Sequence, residues 1–217
     1  MKICFQHRRA GLSLMDVMIV IATLAFMATF FLVVKPFRGK SRAQRITCVN
    51  NLKQVGLSYR LWAGDNNDKY PMHVSTNLGG TMEFVESPEV FRHFQVLQNE
   101  LGTPRVTICP QDISRKYSSN FLNFSNLNIS YFVGIDADET NATMILTGDR
   151  HITNGFVPKN GMLNLMTNQN VRWSKELHTN KNSIGLADGG VQQVSSKALQ
   201  KEILIKTGYA TNRIVLP

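Results

Sequence analysis

With 217 residues the chain has room for one or two domains and a genuine hydrophobic core. Its formal charge is +9, but the basic residues lack aromatic interleaving and crowd at Lys35, Arg38, Lys40, Arg42 and Arg45, which argues against a nucleic-acid surface. No G-x-S-x-G, HExxH or phosphate-cradling loop is present and no nucleophile–base set is visible, so the sequence points away from an enzyme.

The chain opens with a short basic segment, His7-Arg8-Arg9-Ala10-Gly11, and then runs apolar from Leu12 to Val34. At 1.5 Å per residue such a run is long enough for a ~30 Å hydrocarbon core, and it is too long for the apolar region of a signal peptide. One charge, Asp16, lies inside it. A carboxylate in hydrocarbon costs ~2.5–3.5 kcal/mol on insertion scales, so it demands a partner. The free amine that a cut between Gly11 and Leu12 would create is the natural one.

Beyond Val34 the helix is expected to continue, with Pro36 and Gly39 bending it. Cys48, Leu52, Val55, Tyr59 and Trp62 fall at helical spacing and make one apolar face, which a globular head would cover. Gly64 ends the helix and Asp65-Asn66-Asn67-Asp68 makes the turn. Residues 12–63 would thus form one long, bent rod. In the middle, Ser87-Pro88-Glu89 opens a helix whose buried stripe is Val90, Phe94, Leu97 and Leu101, stopped by Gly102. Strand-like runs follow at 106–109, 129–133, 143–147 and 183–187, and Asp188-Gly189-Gly190 turns the last of these into a hairpin with 191–194. A short helix over 197–207 closes before Gly208. The expected fold is α+β: a long bent N-terminal helix, transmembrane then amphipathic, packed against a small antiparallel β-sheet head. Its parts would be a leader (1–11), a transmembrane and assembly helix (12–34), an amphipathic continuation (35–64) and the head (65–217).

The first of these segments resembles the type IV prepilin and type II secretion pseudopilin family. The residues that carry the likeness are Arg8, Arg9, Gly11, Leu12, Ser13, Leu14, Asp16 and the run from Val17 to Ala25. The family usually has Phe where this chain has Leu12, and Glu where it has Asp16. Three further elements resemble a pseudopilin-like subfamily with a C-terminal H-x9-D-G signature: the string from Cys48 to Pro71, Cys109-Pro110-Gln111-Asp112, and His178 with Asp188-Gly189. The resemblance implies cleavage after Gly11 by a prepilin peptidase and methylation at Leu12. It also implies a role for Asp16 in assembly with other pilin-like subunits, giving a filament of the type II secretion or type IV pilus kind. It places the protein as a single-pass inner-membrane protein among membrane lipid, N-terminus cytoplasmic and head periplasmic. Losing Lys2, Arg8 and Arg9 with the leader would take the charge from +9 to +6. The alternative is a monomeric, membrane-tethered binding module that displays its head to polysaccharide or protein, with Trp62, Tyr131, Phe132 and Trp173 as candidate surface aromatics.

Sites of chemistry are few. His178 and Asp188 suggest either a metal or acid–base pair or, as the preferred reading, a structural histidine beside a turn-forming aspartate. No cofactor is expected. Asp65, Asp68 and Asp188 are weak calcium candidates, because the D-x-[DN]-x-[DN]-G-x5-E pattern lacks its glycine and final glutamate. Cys48 and Cys109 would either form one disulfide, tying the helix to the head, or remain two buried thiols.

Overall fold

The computed structural model describes residues 11, 13–33, 37–174, 177–178, 181–204 and 212–217. The chain divides into two units, Met1–Lys40 and Ser41–Pro217, and each is described by itself.

The first unit contains helix α1, Leu14–Val33. Ser13 and Asp16 form a reciprocal cap at its start. The Ser13 N–H donates to Asp16 Oδ2 at 3.0 Å, and the Asp16 N–H donates to Ser13 Oγ at 3.3 Å. The Thr23 and Thr29 hydroxyls donate back to the carbonyls of Val20 and Phe26, so neither leaves a stray polar group on the apolar helix.

This corrects the expected architecture. Among the described residues no helix is long and apolar enough to cross a membrane. Asp16 occupies the first turn of α1. The uncharged part of the described helix, 17–33, spans about 25 Å at 1.5 Å per residue, short of a ~30 Å core. The single-pass placement, with cytoplasmic N-terminus and periplasmic head, is overturned, and the expected membrane and pseudopilin character is without support. The single rod over 12–63 on a small head is overturned as well. The described helices include α1 and α2, Phe37–Asp65, with residues 34–36 outside the described residues, and the larger unit holds a six-stranded sheet with several short helices.

In the larger unit, Cys48, Leu52, Val55, Tyr59 and Trp62 of α2 are all buried, as their spacing of four and three requires. They pack with Val90, Phe94, Leu97 and Leu101, a stretch that forms two short helices, α3 (Arg92–Gln95) and α4 (Gln98–Leu101), rather than one continuous helix, with Val90 before the first and Leu97 between them. The break lies at Leu97, whose N–H bonds the Phe94 carbonyl three residues back, a tighter turn than the α-helix uses. The run 106–109 is not a strand. Pro104 opens a tight helical turn over Pro104–Thr107, the Thr103 side chain caps it at the Arg105 N–H, and Thr107 Oγ1 donates to the Pro104 carbonyl.

The strands are β1 (Tyr131–Gly134), β2 (Ile145–Asp149), β3 (Ile152–Thr153), β4 (Met162–Asn164), β5 (Arg172–Trp173), β6 (Asn182–Leu186), β7 (Val191–Val194) and β8 (Arg213–Val215). Six of them form one antiparallel sheet in the order β4-β8-β1-β2-β6-β7, and β3 pairs with β5. Alternation sends Tyr131 and Val133 toward the cluster that holds the α2 stripe, and Phe132, Ile184 and Ile214 toward a second cluster with Leu163, Trp173 and Leu199. Every residue of β1, β2 and β6 is therefore buried. The hairpin turn between β6 and β7 uses Gly189 at φ +82°, a conformation glycine adopts without a Cβ clash. After Ser196–Ala198 the chain continues helically as Leu199–Leu204 in a wider turn, and the remainder of the helix expected over 197–207 lies outside the described residues.

Candidate functional site

Cys48 stands on the buried face of α2, and Cys109 follows the tight turn at 104–107. The two are joined in a disulfide with their Cα atoms 5.0 Å apart. One turn along α2, Asn51 Nδ2 donates to the Ile108 carbonyl at 2.9 Å, fixing the same junction from the side. Against the sulfurs lies His178, whose Nε2 is 3.5 Å from Cys109 Sγ. Its backbone makes a one-residue bridge to Lys181, and its other ring nitrogen, Nδ1, is buried with no partner. Burial, with Arg45 as a nearby cation, holds the imidazole down to a pKa of about 4, so it is neutral at pH 7.

His178 and Asp188, which the sequence suggested as a pair, do not meet. Asp188 is exposed in the β6–β7 turn, where Oδ1 accepts the Gly190 N–H at 2.7 Å and its carbonyl accepts from Arg60. Asp65 and Asp68 are exposed at the end of α2. Among the described residues the one group of ligand-type side chains close enough to share an ion is Cys48, Cys109 and His178, all buried and with ligand atoms within 4.8 Å of one another. Gly11 is exposed, whereas Leu12 and the leader before Gly11 lie outside the described residues. Trp62, Tyr131, Phe132 and Trp173 are all buried and line the cores rather than a surface.

Beside the disulfide runs a polar network that sequence reasoning missed. Asp112 takes two hydrogen bonds from Arg150, at 2.8 and 3.2 Å, and one from Ser114 Oγ at 2.6 Å, while His151 Nε2 stands 3.8 Å away. Burial alone would raise the Asp112 pKa. The approach of His151 and the hydrogen bonds of Arg150 and Ser114 outweigh it and hold the carboxyl well below the usual range. On the same face of the sheet, Tyr131, Asp149 and Ser183 form one cross-strand row. Tyr131 lies opposite Asp149, and the Ser183 N–H donates to Asp149 Oδ2 at 2.6 Å. Asp149 Oδ1, the Tyr131 hydroxyl and Ser183 Oγ are buried without partners. The available signal was the Asp149-Arg150-His151 string closing an apolar run, which places a carboxylate at the end of a buried strand.

Two concavities complete the picture. One groove of about 550 Å³ in the larger unit is lined by Met72, His73, Met82, Glu83, Asp136 and Arg213. The other, about 510 Å³, lies on α1 and is lined by Ile19, Ala22, Thr23, Phe26 and Met27. No family model, no curated protein and no solved structure matches the chain.

Proposed function

We propose that this protein is a structural subunit that assembles with further copies of itself through α1. The observation that carries this reading is the groove on that helix. Ile19, Ala22, Thr23 and Phe26 stand at positions i, i+3, i+4 and i+7, the four-residue hole that a neighbouring helix fills with one side chain. Small residues form its floor and large ones its ends. The large side chains of α1 from Leu14 to Met27 are between 45% and 85% exposed, on every side of the helix. A helix apolar all round requires cover, and α1 supplies knobs such as Met18, Ile21 and Leu24 as well as holes. Asp16 is consumed by the cap with Ser13, so no charge interrupts that surface beyond the first turn.

Sedimentation of the full chain tests the reading. The parent protein is expected to sediment as an oligomer at micromolar concentration, and Ala22→Glu, which places a charge on the floor of the hole, as a monomer. A monomeric parent, or an Ala22→Glu protein with unchanged mass, overturns it. A second reading, a monomeric binding module, draws support from the groove around Arg213, whose lining combines Met72 and Met82 with the Arg213–Asp136 ion pair. A monomeric parent is the result that would favour it.

A further inference from the structure

We propose that Cys48, Cys109 and His178 form a zinc site when the disulfide is reduced, so that the larger unit has two mutually exclusive closures, one covalent and one metal-bound. The geometry points there. Zn–S bonds of ~2.3 Å and Zn–N bonds of ~2.0–2.1 Å at tetrahedral angles put a sulfur and a nitrogen about 3.6 Å apart, and two sulfurs about 3.8 Å apart. His178 Nε2 already stands 3.5 Å from Cys109 Sγ, so that edge of the tetrahedron exists in the oxidised protein. All three ligand atoms lie within 4.8 Å of one another, and the sulfur–sulfur edge must open from the ~2.05 Å of a bond to about 3.8 Å, a movement that χ1 rotations of two cysteines can share. The Cα atoms, 5.0 Å apart, stay where α2 and the turn at 104–107 hold them.

A second, independent observation is the histidine itself. His178 is 1% exposed, yet a sulfur is the sole partner of one ring nitrogen and the other has none. Leaving such a group so poorly satisfied in the interior is unfavourable, and donation of the Nε2 lone pair to a metal offsets that cost, with the proton held on Nδ1. Charge also balances. Two thiolates neutralise Zn2+, so the buried centre carries no net charge and Arg45 faces no added cation.

The chemistry closes. Two external thiols supply two electrons and two protons; the Cys48–Cys109 bond breaks, two S–H groups form, and the external thiols leave as their own disulfide. Zinc then displaces both thiol protons to solvent and takes Nε2 as its third protein ligand, leaving the fourth position open.

The test uses the full chain, oxidised or reduced with a phosphine that does not compete for metal, titrated with Zn2+ and, for its colour, Co2+. One metal per reduced chain is expected, with the visible bands of thiolate-bound tetrahedral cobalt and none from the oxidised chain. His178→Ala and the bulkier His178→Gln are expected to weaken zinc binding about tenfold or more. A reduced, folded chain that takes no metal overturns the proposal. Equal binding by the oxidised chain does so too, as does unchanged affinity in both His178 variants. Should reduction unfold the chain, zinc must restore the native far-ultraviolet spectrum, and failure to do so also overturns it.

Discussion

Asp149 ends β2 with its carboxyl fully buried, one oxygen on the Ser183 N–H and the other without a partner. Burial first, and Asp112 as a nearby like charge, push its pKa up to about 7 against the pull of the Ser183 N–H. The unfolded chain titrates near 3.8, so between these values the folded state holds the proton that the unfolded state has lost. Stability therefore falls as pH rises from about 4 to about 7 and is level above that. Asp149→Asn removes the ionisation and keeps an acceptor for Ser183. Relative to the parent it is expected to gain stability through that window, by up to about 4 kcal/mol at pH 8, and to gain nothing at pH 4. Thermal unfolding at the two pH values checks this, and an offset that is the same at both contradicts it. Asp112 is the opposite case. Its pKa lies below the unfolded value, so its contribution is present above pH 3.8 and is lost as pH falls further. Asp112→Ala leaves Arg150, itself one-fifth exposed, without its partner. The expected loss at pH 7 is about 2–4 kcal/mol, discounted from a fully buried pair because water reaches the guanidinium, and urea unfolding measures it.

At the scale of elements, the disulfide fastens α2 to the segment that precedes the sheet. Its two cysteines are 61 residues apart in sequence, so the bond removes much of the freedom of a long loop in the unfolded chain. By the chain-entropy relation, Cys48→Ser with Cys109→Ser is expected to lower stability by about 4 kcal/mol. A loss below 1 kcal/mol in denaturant unfolding would show that α2 docks without the bond. The α2 docking face was legible because burial on one side of a helix writes a 3.6-residue period: Cys48, Leu52, Val55, Tyr59 and Trp62 could be read off by spacing alone. The β6–β7 hairpin was legible for a similar reason, since Asp-Gly-Gly admits few backbone paths. The segment 106–109 was not, because apolar side chains look alike in a strand and in a tight turn, and the deciding residue was Pro104 upstream. Nor was the site fully legible. His178 was visible as half of a spaced signature, but spacing along the chain cannot show that it meets Cys109 rather than Asp188. Asp149 was legible only as a carboxylate closing an apolar run, because a strand run gives no depth in the sheet.

For the whole molecule, two opposing forces act on any assembly. The formal charge of +9 makes copies repel one another, and the apolar surface of α1 draws them together. Their dependences on conditions separate them. Repulsion reaches about 30 Å at 0.01 M salt and about 8 Å at 0.15 M, so added salt removes it. Sulfate goes further, because it is excluded from apolar surface and strengthens burial, whereas cooling weakens burial. An assembly closed by α1 should therefore grow in mass with sulfate and shrink in low salt and in the cold. An assembly closed by ion pairs, such as one built on exposed Arg60 or half-buried Glu89 and Arg92, would do the reverse and come apart as salt rises. Sedimentation of the parent chain across a sulfate series at two temperatures distinguishes them. If the Ala22→Glu chain stays monomeric through the same series, the force is located on the hole between Ile19 and Phe26 and not on the larger unit. If that variant assembles as the parent does, a different surface carries the contact and α1 does not.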